Sequence, residues 1–139
     1  MPKPVYVLDS FAIIAFLQDE EGAAKVEAIL KKGKAGKVKL YLHNINLGEI
    51  YYQVFRKEGE HRANAVLTRI KQYPVEFIED FSEELMLTAA RLKATYPISY
   101  ADAIASGTAI QKSGSVITGD PDFKLLERAG KIKALWIRK

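Results

Sequence analysis

Five short runs of apolar or weakly alternating residues punctuate the chain: "PVYVL" at 4–8, "KLYL" at 39–42, "VEFI" at 75–78, "SVIT" at 115–118 and "ALWI" at 134–137. Runs of this length and character suit strands covered on both faces. Between them, apolar positions recur at helical spacing over 10–18 and 21–33, 46–57 and 60–72, 82–95 and 100–113, and in a short stretch at 121–129 before Gly130. Ala24, Ile29 and Leu30 are expected to point inward from the second of these. Ser82, followed by Glu83, Glu84 and the apolar Leu85, Met86 and Leu87, reads as a capped helix start with acids in its first turn. The segment "KKGKAGK" at 31–37 reads as a loop into the second strand. Strands alternating with helices predict one α/β domain over residues 1–139. The expected fold class is a three-layer α/β/α sandwich around a mostly parallel five-stranded sheet.

Composition adds limits rather than detail. At 139 residues the chain is long enough for one well-buried core, and its charged fraction of 27% is ordinary for a globular protein. No apolar run approaches a membrane span, and the start of the chain lacks a signal-peptide layout, so a cytoplasmic protein is expected. The absence of cysteine excludes disulfides and thiolate zinc sites. The net charge is +4, with one lysine cluster at Lys25, Lys31, Lys32, Lys34, Lys37 and Lys39 and another at Lys131, Lys133, Arg138 and Lys139. A solvated face explains either cluster, and a polyanion-binding surface is the sharper alternative.

The chemistry is concentrated in acids. Asp9 directly follows the first strand and Asp120 the fourth; each could simply cap a helix, with Pro121 suited to the first helical position after Asp120. Glu49 lies three residues after Asn46, and Asp102 three after Ser99, both at capping-box spacing. Topology brings the four together. Asp9 and Asp120 stand past the carboxyl ends of strands, Glu49 lies near the start of the helix after strand 2, and Asp102 near the start of the helix that feeds strand 4. All four can therefore reach one rim, where open parallel sheets hold ligands. Carboxylates so gathered repel, raising their pKa values unless a cation intervenes. An all-oxygen cluster favours a hard ion such as Mg²⁺ or Mn²⁺.

At these residues the chain resembles PIN-domain ribonucleases, most of all the VapC toxins of prokaryotic toxin–antitoxin modules. The matching pieces are "VLDSFAIIAFL" around Asp9, "NLGEIYYQV" around Glu49, "SYADAIASGTAIQ" around Asp102 and "VITGDPDF" around Asp120, in the family's order. The resemblance implies an α/β/α sandwich whose acidic pocket binds Mg²⁺ or Mn²⁺ and cleaves single-stranded RNA with metal-activated water, leaving a 5′-phosphate and a 3′-hydroxyl. It maps Asp9, Glu49, Asp102 and Asp120 onto the catalytic acids, with Asp9 and Asp102 as direct metal ligands and Glu49 and Asp120 acting directly or through water. Asp122 matches a further, more variable acid, for which first-turn helix stabilisation is the plain alternative. Ser10 and Thr118 stand where such proteins often carry a hydroxyl, able to orient a carboxylate or a water, or to make a local backbone bond. Gly119 departs from the basic or polar residue often found there, which bears on a substrate contact. The resemblance also implies a homodimer and a small VapB-like antitoxin; Tyr51, Tyr52 and Phe55 are candidate interface aromatics, although core packing is commoner for such residues.

Three other functions fit less well. A non-cleaving PIN-like module binding nucleic acid or a partner would gain from losing the acids. A receiver-type phosphoacceptor domain would want paired acids after the first strand and a lysine after the last, and a dehalogenase-like phosphatase would want an acid where Phe11 stands.

Overall fold

All five strands form, and each hydrogen-bonds to its neighbours in parallel. They are β1 (Val5–Leu8), β2 (Lys39–His43), β3 (Glu76–Ile78), β4 (Ser115–Thr118) and β5 (Lys133–Trp136), in the order β3-β2-β1-β4-β5. This computed structural model describes residues 2–139; Met1, counted in the expected domain, lies outside the described residues. The helices are α1 (Ser10–Leu17), α2 (Ala23–Lys34), α3 (Asn44–Glu58), α4 (Glu60–Ile70), α5 (Glu83–Thr95), α6 (Tyr100–Gln111) and α7 (Lys124–Arg128), with a 3₁₀ turn at Pro121–Phe123. No helix among the described residues is long and apolar enough to cross a membrane.

The apolar runs are continuous because both faces of the sheet are covered. Val7 and Val116 face one core, with Ala89 and Leu92 of α5, Ile104 of α6, and Phe123 and Leu126. Their chain neighbours Leu8 and Ile117 face the other, with Ile13 of α1, Val26 of α2, Ile50 of α3 and Val66 of α4. Consecutive residues in a strand point to opposite faces, so a two-sided core demands an unbroken apolar run. The sheet is fully parallel, which sharpens the expectation of a mostly parallel one.

Some local expectations shift. The second helix begins at Ala23, after Gly22 at φ 98°, so Ala23 and Val26 turn inward while Ala24 is exposed. A Cβ at Gly22 would sit 2.8 Å from the Ile137 carbonyl oxygen, which keeps this turn a glycine and delays the helix. The stretch 121–129 divides into the 3₁₀ turn and α7.

Topology places the site. The chain steps from β1 outward through β2 to β3, then returns to lay β4 on the other side of β1. Connections leave β1 and β4 in opposite directions, opening a crevice at their carboxyl ends. Asp9 and Asp120 stand there.

Candidate active site

Each acid is delivered by a different element. Asp9 follows β1 and caps α1, its Oδ1 accepting from the Ala12 N–H at 2.8 Å. Asp120 caps the turn after β4, accepting from the Asp122 N–H at 2.9 Å. Both capping roles are therefore real, and both place the carboxylate at the switch point. Ser99 caps α6 by accepting from the Asp102 N–H at 3.1 Å, which sets Asp102 in the first turn of a helix buried from Asp102 to Ala109. Small residues allow that burial: a Cβ at Gly107 would come within 2.9 Å of Leu85 Cδ1.

Glu49 arrives differently from the capping-box reading. Helix α3 starts at Asn44, capped by His43, whose Nδ1 accepts from the Ile45 N–H at 3.0 Å. With Nδ1 accepting, Nε2 carries the proton and donates to the Asp80 carbonyl at 3.0 Å, so His43 is a neutral structural cap, its pKa lowered by burial. Asn46 is inside the helix and fully buried, and its Nδ2 donates to the Ala101 carbonyl at 3.1 Å. That bond ties α3 to the first turn of α6, holding Glu49 and Asp102 across one cleft.

The cleft has a volume of about 440 Å³ and is lined by Glu49, Asp102, Asp120 and Asp122 together with Ser10 and Ser99. Asp102, Asp120 and Asp122 each offer an oxygen within 4.8 Å of the others. Asp9 lies beneath, 1% exposed. Its second oxygen accepts from Thr118 Oγ1, which in turn accepts from the Asp120 N–H at 2.9 Å, so one hydroxyl joins two acids. Ser10 Oγ donates to Glu49 Oε1. Both hydroxyls hold carboxylates, and Thr118 makes the local backbone bond as well.

Crowding and burial leave their mark on protonation. Asp9 is raised from 3.8 to about 8, chiefly by loss of hydration and further by Asp102 and Asp120, against the lowering effect of the Thr118 and Ala12 bonds. Asp102 is raised from 3.8 to about 7, again first by burial and then by Asp120 and Glu49. Acids held this far from their ordinary range are a feature of candidate functional sites, and a positive charge placed among them would offset the cost of ionising them. The donor set, all carboxylate and hydroxyl oxygen without His or Cys, fits a hard divalent cation such as Mg²⁺ or Mn²⁺.

Sequence reading missed several groups around these acids. Gln18 and Gln53 line the cleft, Gln53 one helical turn beyond Glu49 on the same face of α3. Phe11 also lines it and explains Gly119: a Cβ there would meet Phe11 Cε1 at 2.5 Å and Ile137 Cγ1 at 3.1 Å. Arg138 donates from Nε to the Gly119 carbonyl at 3.0 Å, with its guanidinium 4.6 Å from the Phe11 ring centre. The lysines of 31–37 lead into the amino end of β2, at the opposite edge of the sheet from the acids, and Lys131 and Lys133 sit at the amino end of β5. Tyr51 is half-buried, but Tyr52 and Phe55 are exposed, so the core does not use those two.

Comparison with known proteins returns the same fold. Nothing among curated protein sequences matches the chain. Solved structures do: VapBC2 from Rickettsia felis bound to a DNA fragment from its promoter is 18% identical, covering 94% of this chain and 97% of that one at a TM-score of 0.71. VapBC-1 from nontypeable Haemophilus influenzae is 18% identical over 97% and 99% of the two chains, also at 0.71. The sarcin-ricin loop cleaving toxin VapC20 from Mycobacterium tuberculosis is 18% identical over 87% and 93%, at 0.66. At such identities the likeness is one of fold. The PIN domain family model matches residues 6–129, from within β1 to the end of α7 and through all of the acids described above. The chain belongs to the PIN-domain family.

Proposed function

We propose that this chain is a metal-dependent endoribonuclease of the VapC type, hydrolysing RNA phosphodiesters in the acid cleft. The observation that carries the reading is the convergence of Asp102, Asp120 and Asp122 opposite Glu49 and above the buried Asp9, in one open cleft at the switch point. Asp102, Asp120, Asp122 and Glu49 would hold Mg²⁺ or Mn²⁺, with Asp9 contributing directly if its contacts rearrange, or through the negative charge it gains when an ion above it displaces its proton. A divalent cation in such a site supplies charge neutralisation at a phosphodiester and makes water acidic enough to serve as nucleophile near neutral pH.

The chain's own residues supply position. Thr118 fixes Asp9 and the Asp120 backbone together, so the floor of the cleft and its rim move as one. Ser10 fixes Glu49 against rotation, leaving its other oxygen to accept a proton from an attacking water. Burial of Asp102 at the head of α6 lessens solvent screening of that carboxylate, so its attraction for a divalent cation in the cleft is stronger than at a surface.

The toxin assignment draws on the structures named VapBC and VapC20, and a small VapB-like antitoxin partner follows from the same neighbours. A homodimer is supported by exposed aromatic surface on Tyr52 and Phe55 of α3. Incubating the purified protein with a mixed panel of single-stranded RNAs in Mg²⁺, Mn²⁺ or EDTA tests the activity. Cuts leaving 5′-phosphate and 3′-hydroxyl ends, in the metal arms alone, are expected. Intact RNA in every arm, or equal cutting in EDTA, would contradict the proposal.

A further inference from the structure

The acid cleft has a basic neighbour. Beyond the carboxyl end of β5, Arg138 lines a depression of about 370 Å³ together with Lys124, Glu127, Arg128, Trp136 and Lys139. The two hollows meet at one wall. Phe11 faces the acid cleft, and the guanidinium of Arg138 lies over its ring. Lys124 is two residues from Asp122 in the chain, which brings the same two hollows together from a second direction.

Charge in this depression is unbalanced. Four cationic side chains and one carboxylate side chain line it, and both oxygens of Glu127 accept from the Trp136 Nε1–H at 3.2 Å. The ion pairs among the described residues are Lys31–Glu27 and Lys39–Glu76, so none of the four is ion-paired. Arg138 is also held in place. Its Nε bond to Gly119 and its stacking on Phe11 fix the plane of the guanidinium, while its terminal amino groups meet no protein acceptor among the described residues. A guanidinium so fixed loses little freedom on gripping a phosphate through two parallel bonds.

We infer that this depression binds the phosphates of single-stranded RNA beside the scissile linkage, with Arg138 gripping the phosphate nearest the acid cleft. The inference rests on the nuclease reading and deepens it. A cleft lined by carboxylates repels a polyanion, and the attraction must come from cations on the same edge of the sheet. Most of the larger lysine cluster, Lys31 to Lys39, leads to the other edge, and Lys25, the exception, is tied to the Trp136 carbonyl at 3.1 Å. Arg138, Lys124 and Arg128 can supply that attraction, and they also set the direction in which the strand leaves the cleft, toward α7 and Trp136.

Trp136 is the only tryptophan in the chain and lines this depression, so its emission responds to what binds there. The test is a titration with a short oligouridylate in EDTA, followed by Trp136 fluorescence at several salt concentrations, alongside cleavage kinetics in Mg²⁺. Wild type should show a saturable, salt-sensitive emission change. Arg138→Gln should weaken binding several-fold and lower the slope of log Kd against log salt by about 0.7, the loss expected for one single-strand phosphate contact. The double variant Lys124→Gln/Arg128→Gln, whose side chains make no hydrogen bond or ion pair that the fold uses, should weaken binding further and raise KM more than it lowers kcat. Unchanged Kd and slope in both variants would overturn the inference. So would an equal emission change with polyglutamate, which would mark the depression as a site for an acidic protein segment. A loss confined to Arg56→Gln/Lys57→Gln, the cations beyond Gln53 on the other side of the cleft, would overturn it as well. RNA cutting that proceeds with Kd and KM unaltered in the variants sinks this inference and leaves the nuclease reading standing. Salt-sensitive binding without any cutting supports the RNA surface and sinks the nuclease reading.

Discussion

Replacing Asp102 by asparagine should lower RNA cleavage by more than ~100-fold while making the metal-free protein more stable at pH 8. Loss of groups that merely orient a metal ligand costs about 10–100-fold, so loss of a ligand itself should exceed that range. The stability gain follows from the same geometry. Asp102 is 8% exposed, faces Asp120, Glu49 and Asp122, and has its pKa raised from 3.8 to about 7. Ionising it at pH 8 in the folded state therefore costs up to ~4 kcal/mol relative to the unfolded chain. Asparagine carries no charge and nearly the same shape, and retaining a buried amide offsets part of the gain, leaving about 1–3 kcal/mol. Urea midpoints in EDTA and cleavage rates in Mg²⁺ measure the two effects on one variant. A substitution that only damaged the fold would lower both numbers. Wild-type cleavage by Asp102→Asn would remove this residue from the site.

The metal-free protein should lose several kcal/mol of stability as pH rises from about 4 to about 8, against the usual trend of acid denaturation. Asp9 and Asp102 have folded values of about 8 and about 7, against 3.8 for an ordinary aspartate. Across the interval between, the folded chain holds protons that the unfolded chain has released. Stability then falls with rising pH, because the slope follows protons bound in the unfolded state minus those bound in the native state. The contribution is complete below pH ~4 and gone once pH passes ~8. His43 works the other way below its ordinary 6.5, since burial lowers its pKa and acid must charge it on unfolding. His43 therefore offsets part of the fall just below 6.5, and above that value the fall belongs to the two acids. Excess Mg²⁺ should flatten the curve, because an ion binds the deprotonated acids and stabilises by mass action. A denaturation series in EDTA that stayed level, or rose, between pH 6.5 and 8 would contradict the shared burial of these carboxylates.

Much of this site was legible before any coordinates. A sheet buried on both faces writes itself as unbroken apolar runs, which is why the pairs Val7–Leu8 and Val116–Ile117 identify strands feeding two cores. Once the strands are parallel, Asp9 and Asp120 must stand at one rim, and helices that enter or leave that rim must carry Glu49 and Asp102 toward it. Local capping logic was sound for Asp9, Asp120 and Ser99 because it depends on residues a few positions apart. It failed at Asn46, where a bond to the Ala101 carbonyl and burial between helices outweighed the capping spacing. Ala24 was misplaced because Gly22, wedged against Ile137, delays the helix and rotates its inner face. Contacts across the chain left no local trace at all. The Phe11–Gly119–Arg138 wall joins three segments that share no periodicity, and the depth of Asp9 depends on how α1 and Thr118 close over it.

The central claim is that these acids form one site that a divalent cation completes. Calorimetric titration of the metal-free protein with Mn²⁺ at pH 7, in two buffers of different ionisation enthalpy, measures binding and the protons it expels together. Saturable binding with release of roughly one to two protons is expected, because at that pH Asp9 is mostly protonated and Asp102 about half so, and both must give up protons to an ion. Both the binding and the release should be lost in Asp102→Asn. No binding, or binding that releases nothing and survives that substitution, would show that the carboxylates do not act as one metal site.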